Sequence, residues 1–159
     1  MEIKENVLLN ELSFIFDENN QNYITDKKCI NDETFLKVVA VEDGHALGYA
    51  VLYFGKDFLE KEDFPIRVKV DNKCAYIWNC VTKRGFESRG VQSYIFKYFT
   101  ERFGDYDIYS VVDVLNKPSQ RLHEKFGFEK IGYFEKVFVD ELCKFDLLKC
   151  VQSKYGELK

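Results

Sequence analysis

Val81-Thr-Lys-Arg-Gly-Phe-Glu-Ser-Arg-Gly-Val-Gln-Ser93 is the stretch on which the fold of this chain turns. Ahead of it, Cys74 to Thr82 is rich in β-branched and aromatic residues and reads as a strand. Behind it, Val91, Tyr94, Ile95, Tyr98, Phe99 and Phe103 recur at three- and four-residue steps, the spacing of an amphipathic helix with one buried face. The loop therefore carries the chain from a strand into the first turn of a helix. There the backbone N–H groups lack intrahelical acceptors and the helix dipole is positive, so the position attracts anions. Gly90 allows an anion to approach the backbone, and Lys83, Arg84 and Arg89 add positive charge. The pattern is neither a P-loop nor a dinucleotide fingerprint, both of which need more glycines at other spacings. On these residues alone it is either a diphosphate cradle or a solvated connection.

Working outward, Phe35 to Val41 and Ala46 to Phe54 are β-rich runs joined by a turn containing Asp43-Gly44, a hairpin signal. Arg67 to Val70 and Cys74 to Thr82 flank Asp71-Asn-Lys73 and read as a second hairpin, after a charged excursion from Gly55 to Pro65. At the start of the chain, Ile3, Val7, Leu8, Leu12, Ile15 and Phe16 predict a helix over residues 3–16, followed by a polar loop from Asp17 to Asp32. On the other side of the deciding stretch, Ile108 to Val112 predicts a short strand. Ser119 to Phe126 predicts a helix capped by Asn116 or Ser119 and stopped by Gly127. Ile131 to Phe138 and Lys144 to Cys150 predict a closing hairpin. A strand, a helix and a further strand over residues 74–112 form a βαβ crossover, which makes strands 74–82 and 108–112 parallel. The expected fold class is α/β, or α+β, with a mixed sheet in one domain spanning residues 1–159.

The bulk numbers are compatible with this. A chain of 159 residues, 46% hydrophobic and with 15 Phe and 10 Tyr, can bury a sizeable core. A net charge of -4 argues against nucleic acid as a partner and favours, weakly, a cationic one. Five widely spaced cysteines without a Cys-x-x-Cys pair suit buried, reduced thiols, and no metal site is expected. A thiol nucleophile would need His45 or His123 within reach. There is no secretory leader pattern and no apolar run of the roughly 18 residues that spans a membrane. The expected location is cytoplasmic.

A second segment, Asn116-Lys-Pro-Ser-Gln-Arg-Leu-His-Glu-Lys-Phe-Gly-Phe128, gives the first its meaning. Together, in this order and on these elements, the two resemble the GNAT superfamily of acyl-CoA-dependent N-acetyltransferases over roughly residues 35–150. In that family an Arg or Gln-x-x-Gly-x-Gly or Ala loop opens the central helix. A later segment carries an Asn, a small residue, a Tyr and a Leu-Gly-Phe ending. Here Gly90 matches the loop glycine, and Asn116, Ser119 and Phe126-Gly127-Phe128 match the later segment. Glu87 stands where Arg or Gln is usual, Gln92 where Gly or Ala is, and His123 where Tyr is. The region before residue 35 is short for the family, which implies a first strand that is missing or reordered.

The resemblance implies a central, twisted, mostly antiparallel sheet with one parallel, splayed pair of strands, flanked by helices. It implies acetyl-CoA as cofactor, its pantetheine arm paired with backbone near Cys80, Val81 and Thr82. Its diphosphate is expected on the backbone of Ser88, Arg89, Gly90, Val91, Gln92 and Ser93, with Asn116 and Ser119 as further contacts. The acetyl group is expected to pass directly to a primary amine, on a small molecule or a protein. The Val81 N–H is the expected oxyanion donor, with His123 as acid for the leaving thiolate and Tyr133 as second candidate. Glu42, Glu87 and Asp113 are candidate bases, and Tyr76 and Trp78 candidate walls of an acceptor pocket. A catalytically silent acyl-CoA-binding module and a plain interaction domain are the alternative readings. A homodimer through the aromatic closing hairpin is a further expectation.

Overall fold

The computed structural model describes residues 1–5, 35–54 and 73–151, apart from the side chains of Phe35, Trp78, Asn79 and Phe138. The expectations for residues 6–34, including the polar loop, for the charged excursion and for the 67–72 half of the second hairpin lie outside the described residues. Contacts divide the chain into two compact units, one of Met1–Phe54 with Ile77–Phe99, the other of Gly55–Tyr76 with Thr100–Lys159.

In the first unit the strands β1 (Glu2–Glu5), β2 (Phe35–Glu42), β3 (His45–Phe54) and β4 (Cys74–Thr82) lie side by side in that order. The Asp43-Gly44 turn joins β2 to β3 as expected. Asp43 and Gly44 have φ of 52° and 77°, the paired positive angles of a primed hairpin turn, whose twist matches that of the strands. Val38, Val39 and Ala40 on β2, and Tyr49 to Leu52 on β3, are fully buried, so this hairpin is covered on both faces. Each large aliphatic side chain among them contributes on the order of 1.5–3 kcal/mol through burial.

The helix predicted over residues 3–16 is not what the first residues form. Ile3 pairs with Ala40 and Glu5 with Val38, so Glu2–Glu5 is an antiparallel strand on the edge of β2, and a first strand is present. The reason lies in long-range partners. The β2 edge provides a ladder for the backbone, and α1 (Val91–Arg102) grips β1 through two hydroxyls. Tyr94 Oη donates to the Met1 carbonyl at 2.6 Å, and Tyr98 Oη donates to the Glu5 carboxylate. The predicted face of α1 is otherwise as read, with Val91, Ile95 and Phe99 buried and Phe96 buried beside them.

The second unit holds β5 (Asp107–Asp113), α2 (Lys117–Lys125), β6 (Phe128–Phe138) and β7 (Glu141–Cys150), with the first residues of β4. The order is β4-β5-β7-β6. Both β5 with β7 and β6 with β7 are antiparallel. The Asp107 N–H donates to the Lys73 carbonyl at 2.8 Å, so β4 and β5 set out from the same end as the one parallel pair. The sheet is therefore mixed, as the βαβ reading required. Ile108, Tyr109, Phe126, Phe128, Leu147 and Leu148 form the core of this unit. Asn116 caps α2, and Gly127, at φ 80°, ends it. Each strand of the closing hairpin begins three residues earlier than predicted, at Phe128 and Glu141, and ends as predicted, at Phe138 and Cys150.

The cysteine expectation holds in part. Cys74 and Cys150 are buried thiols outside any disulfide, whereas Cys80 is exposed and Cys143 half-buried. Among the described residues, no helix is long and apolar enough to cross a membrane, and no cluster of His, Cys, Asp and Glu is arranged to hold a metal.

Candidate active site

Between β4 and α1 the chain makes consecutive turns over residues 84–90. The Phe86 ring organises them, with the Lys83 ammonium 5.1 Å and the Arg89 guanidinium 4.8 Å from its centre. Backbone bonds from Phe86 N–H to the Lys83 carbonyl and from Arg89 N–H to the Phe86 carbonyl close the turns. Gly90 has φ 72°, a conformation that L side chains rarely adopt, and a Cβ built there would meet nothing within 4 Å. The space in front of it is open. Tyr94 N–H donates to the Gly90 carbonyl, which makes Gly90 the residue before the first helical one. Helix geometry then leaves the N–H groups of Val91, Gln92 and Ser93 without intrahelical acceptors. Ser88, Arg89 and Gly90 are exposed and Ser93 half-exposed, whereas the Val91 side chain is buried and anchors the helix. A diphosphate fits this arrangement, since it needs backbone donors, positive charge and room, and all three are present.

The two unusual loop residues are turned away from that space. The Glu87 carboxylate folds back and accepts the Gly85 N–H at 2.8 Å. The Gln92 amide donates to the Val81 carbonyl at 3.0 Å and the Thr82 hydroxyl at 3.1 Å, with the Tyr49 carbonyl at 3.4 Å. Its Oε1 is buried and makes no hydrogen bond among the described residues, so the side chain is held by what its nitrogen gives. Gly48 makes this approach of three elements feasible. A Cβ there would lie 2.7 Å from the Val81 carbonyl oxygen and 2.8 Å from Val91 Cγ1. Sequence reasoning missed Gly48, although a glycine inside a strand pattern is itself a signal of close backbone approach.

The same contacts revise the role of Val81. Both polar groups of a strand residue project to one edge. The Val81 carbonyl faces Gln92 and Gly48, and Lys83 N–H donates to the Leu47 carbonyl at 2.7 Å, so residues 81 and 83 face β3. The backbone groups of Cys80 and Thr82 face the opposite edge. The Val81 N–H, expected as the oxyanion donor, therefore faces β3.

In the second unit, His123 is buried with 3% exposure. Its Nδ1 lies 2.7 Å from the Ser119 carbonyl, which can only accept, so Nδ1 carries the proton. Nε2 is then the acceptor of the Ser110 hydroxyl at 2.8 Å, and the Phe128 ring packs edge-on at 5.0 Å. Burial pushes the imidazole down to about 4, against a smaller opposing effect of the Ser119 carbonyl. At neutral pH the ring is uncharged and has no proton on Nε2 to give. This geometry does not supply the acid expected of His123. It joins α2 to β5.

Asn116 and Ser119 are likewise engaged locally. Asn116 Oδ1 accepts the Ser119 N–H at 3.2 Å as the helix cap, and Ser119 gives its carbonyl to His123. Tyr133 lies exposed on β6, and its hydroxyl donates to Glu135 at 2.7 Å; that bond raises its pKa. Among the base candidates, Asp113 accepts the Leu115 N–H at 2.9 Å and Glu42 lies 3.9 Å from the Met1 amine. Tyr76 is a buried core residue, and the Trp78 side chain lies outside the described set.

Comparison with known proteins agrees with the fold. The Acetyltransferase (GNAT) family matches residues 6–128. No curated protein sequence matches the chain. Among solved structures, a point mutant of the spermidine N-acetyltransferase SpeG from Vibrio cholerae is similar with a TM-score of 0.68 at 16% identity, covering 98% of this chain and 97% of that one. A ribosomal-protein-alanine N-acetyltransferase from Brucella melitensis gives 0.67 at 17% identity, covering 95% and 99%. Arabidopsis thaliana NAA60 in complex with acetyl-CoA gives 0.62 at 14% identity, covering 93% and 97%.

Proposed function

Because this chain belongs to the GNAT acetyltransferase family, we propose that it transfers an acetyl group from acetyl-coenzyme A directly to a primary amine. The observation that carries this reading is the open space before Gly90 at the head of α1, in a loop that also carries Lys83 and Arg89. There the amides of Val91 to Ser93 hold the diphosphate, and Arg89 and Lys83 offset its charge. The edge of β4 that faces away from β3 binds the pantetheine arm through Cys80 and Thr82.

A neutral amine attacks the thioester carbonyl, and one of those two N–H groups steadies the oxyanion, a contact worth on the order of 3 kcal/mol in transition-state energy. The carbon–sulfur bond then breaks. The proton lost by the attacking nitrogen and the one gained by the thiolate balance, so water carries one to the other without a histidine acid. Holding the two reactants together contributes the larger part of the acceleration. Relatives of the same fold act on spermidine and on ribosomal-protein alanine, according to their names, and both are amines. A small-molecule or protein amine is the acceptor class proposed here.

A thermal-shift titration with acetyl-CoA, followed by an amine panel read by thiol release, tests the reading. A ligand at ~100 times its dissociation constant stabilises by ~2.7 kcal/mol. No shift at millimolar acetyl-CoA overturns it. The buried, neutral His123 favours a second reading, an acyl-CoA-binding module without turnover. Binding without thiol release across the panel selects that one.

A further inference from the structure

Five of the seven most exposed large apolar side chains among the described residues lie on one hairpin: Ile131, Tyr133, Val137, Val139 and Leu142. Its turn is unusual too. Val139, a β-branched residue, sits at φ 46° and is 99% exposed, followed by Asp140 at 64°. β6 ends the strand order, so among the described residues its outer edge has no neighbouring strand. An apolar edge of this kind is a template for another strand.

The charges on β6 say which strand. The sequence Phe128-Glu-Lys-Ile-Gly-Tyr-Phe-Glu-Lys-Val137 is complementary in charge to itself when one copy is laid antiparallel against a second. About a two-fold axis at Tyr133, with the bulge residue Ile131 left out of the pairing, Glu129 faces Lys136 of the other copy, Lys130 faces Glu135, and Phe128 faces Val137. Each pairing occurs twice. In a regular strand those partners would point to opposite faces of the sheet, because their sequence separation is odd. The bulge corrects this. The register slips between Lys130 and Gly132, and Lys130 lies opposite Leu148 while Glu135 lies opposite Lys144, on the same face. Glu129 and Lys136, opposite Lys149 and Cys143, likewise share a face. The bulge, which elsewhere protects an edge, here brings opposite charges together, and Gly132 leaves room beside Tyr133 at the axis.

We infer that β6 pairs antiparallel with β6 of a second copy of this chain, forming an isologous dimer across the sheet edge. Opposite charges directly across a strand pair stabilise it and like charges oppose it. Glu129 and Lys136 are exposed and leave the Lys130–Asp146 ion pair undisturbed, so they are the positions to exchange.

The test is sedimentation equilibrium of the full chain and of three variants, with circular dichroism to confirm folding. The wild type is expected as a dimer at micromolar concentration. Glu129→Lys and Lys136→Glu each convert two attractive contacts into repulsive ones and raise the dissociation constant on the order of 30-fold. Mixing these two variants restores complementarity at both contacts, and a heterodimer forms. The double variant E129K/K136E dimerises as the wild type does. A monomeric wild type overturns the inference, as does a dimer indifferent to either exchange, or a mixture of the two variants that stays monomeric.

Discussion

The turn before α1 and the start of α2 are both helix entrances following a strand, and they use their polar groups in opposite ways. At α2 the groups face inward: Asn116 caps Ser119, Ser119 holds His123, and His123 holds Ser110. At α1 they face outward. Gly90 opens onto empty space, and the first-turn amides have no acceptor inside the helix. A ligand is held by groups that folding has not already satisfied. The first entrance is therefore the one proposed to bind, and the second braces.

The largest effect that can break this contrast is at Gly90. Gly90→Val places a β-branched side chain in a positive-φ conformation and in the space proposed for phosphate. Acetyl-CoA affinity, read by calorimetry, is expected to fall roughly 100-fold or more, the loss of about 3 kcal/mol of binding. Normal binding would place the cofactor elsewhere.

His123 sharpens the other side. Its folded pKa is depressed from 6.5 to about 4, so folded and unfolded states are equally neutral above pH 6.5. Between those values only the unfolded state takes up the proton. Stability is therefore full above about pH 6.5 and declines on the order of 3 kcal/mol as the pH falls to about 4. His123→Gln is expected to flatten that part of the pH profile in urea titrations and to leave the pH dependence of turnover unchanged. A turnover profile that loses a limb in this variant would return His123 to the chemistry.

Gly48→Ala is next. The new methyl meets the Val81 carbonyl and Val91, and neither belongs to the far end of a flexible chain. A loss of roughly 1–3 kcal/mol is expected from thermal unfolding, the usual range for overpacking. Gln92→Ala removes the bonds to Val81 and Thr82 but also a buried orphan oxygen, so a net loss of about 1 kcal/mol or less is expected. Smallest is Glu87→Gln. It removes a carboxylate near the proposed diphosphate and should tighten acetyl-CoA binding a few-fold at low salt and less at high salt.

Much of this was legible in sequence. Helical periodicity from Val91 onward, the Asp43-Gly44 turn, the βαβ order and the stop at Gly127 are local patterns, and the structure follows them. So was the basic loop before a helix, because a helix's first turn has the same unpaired donors whatever its side chains. What sequence left undecided depended on partners distant in the chain. Ile3 belongs to a strand because β2 lies beside it and two tyrosines of α1 hold it. His123 lost its expected acidity because Ser110, Phe128 and a carbonyl enclose it, and desolvation sets its charge. Val81 faces β3 because Gly48 and Gln92 stand there. Local periodicity and turn chemistry determine which elements form; burial, edge pairing and the direction of each amide arise only when those elements meet, and the site's chemistry depends on them.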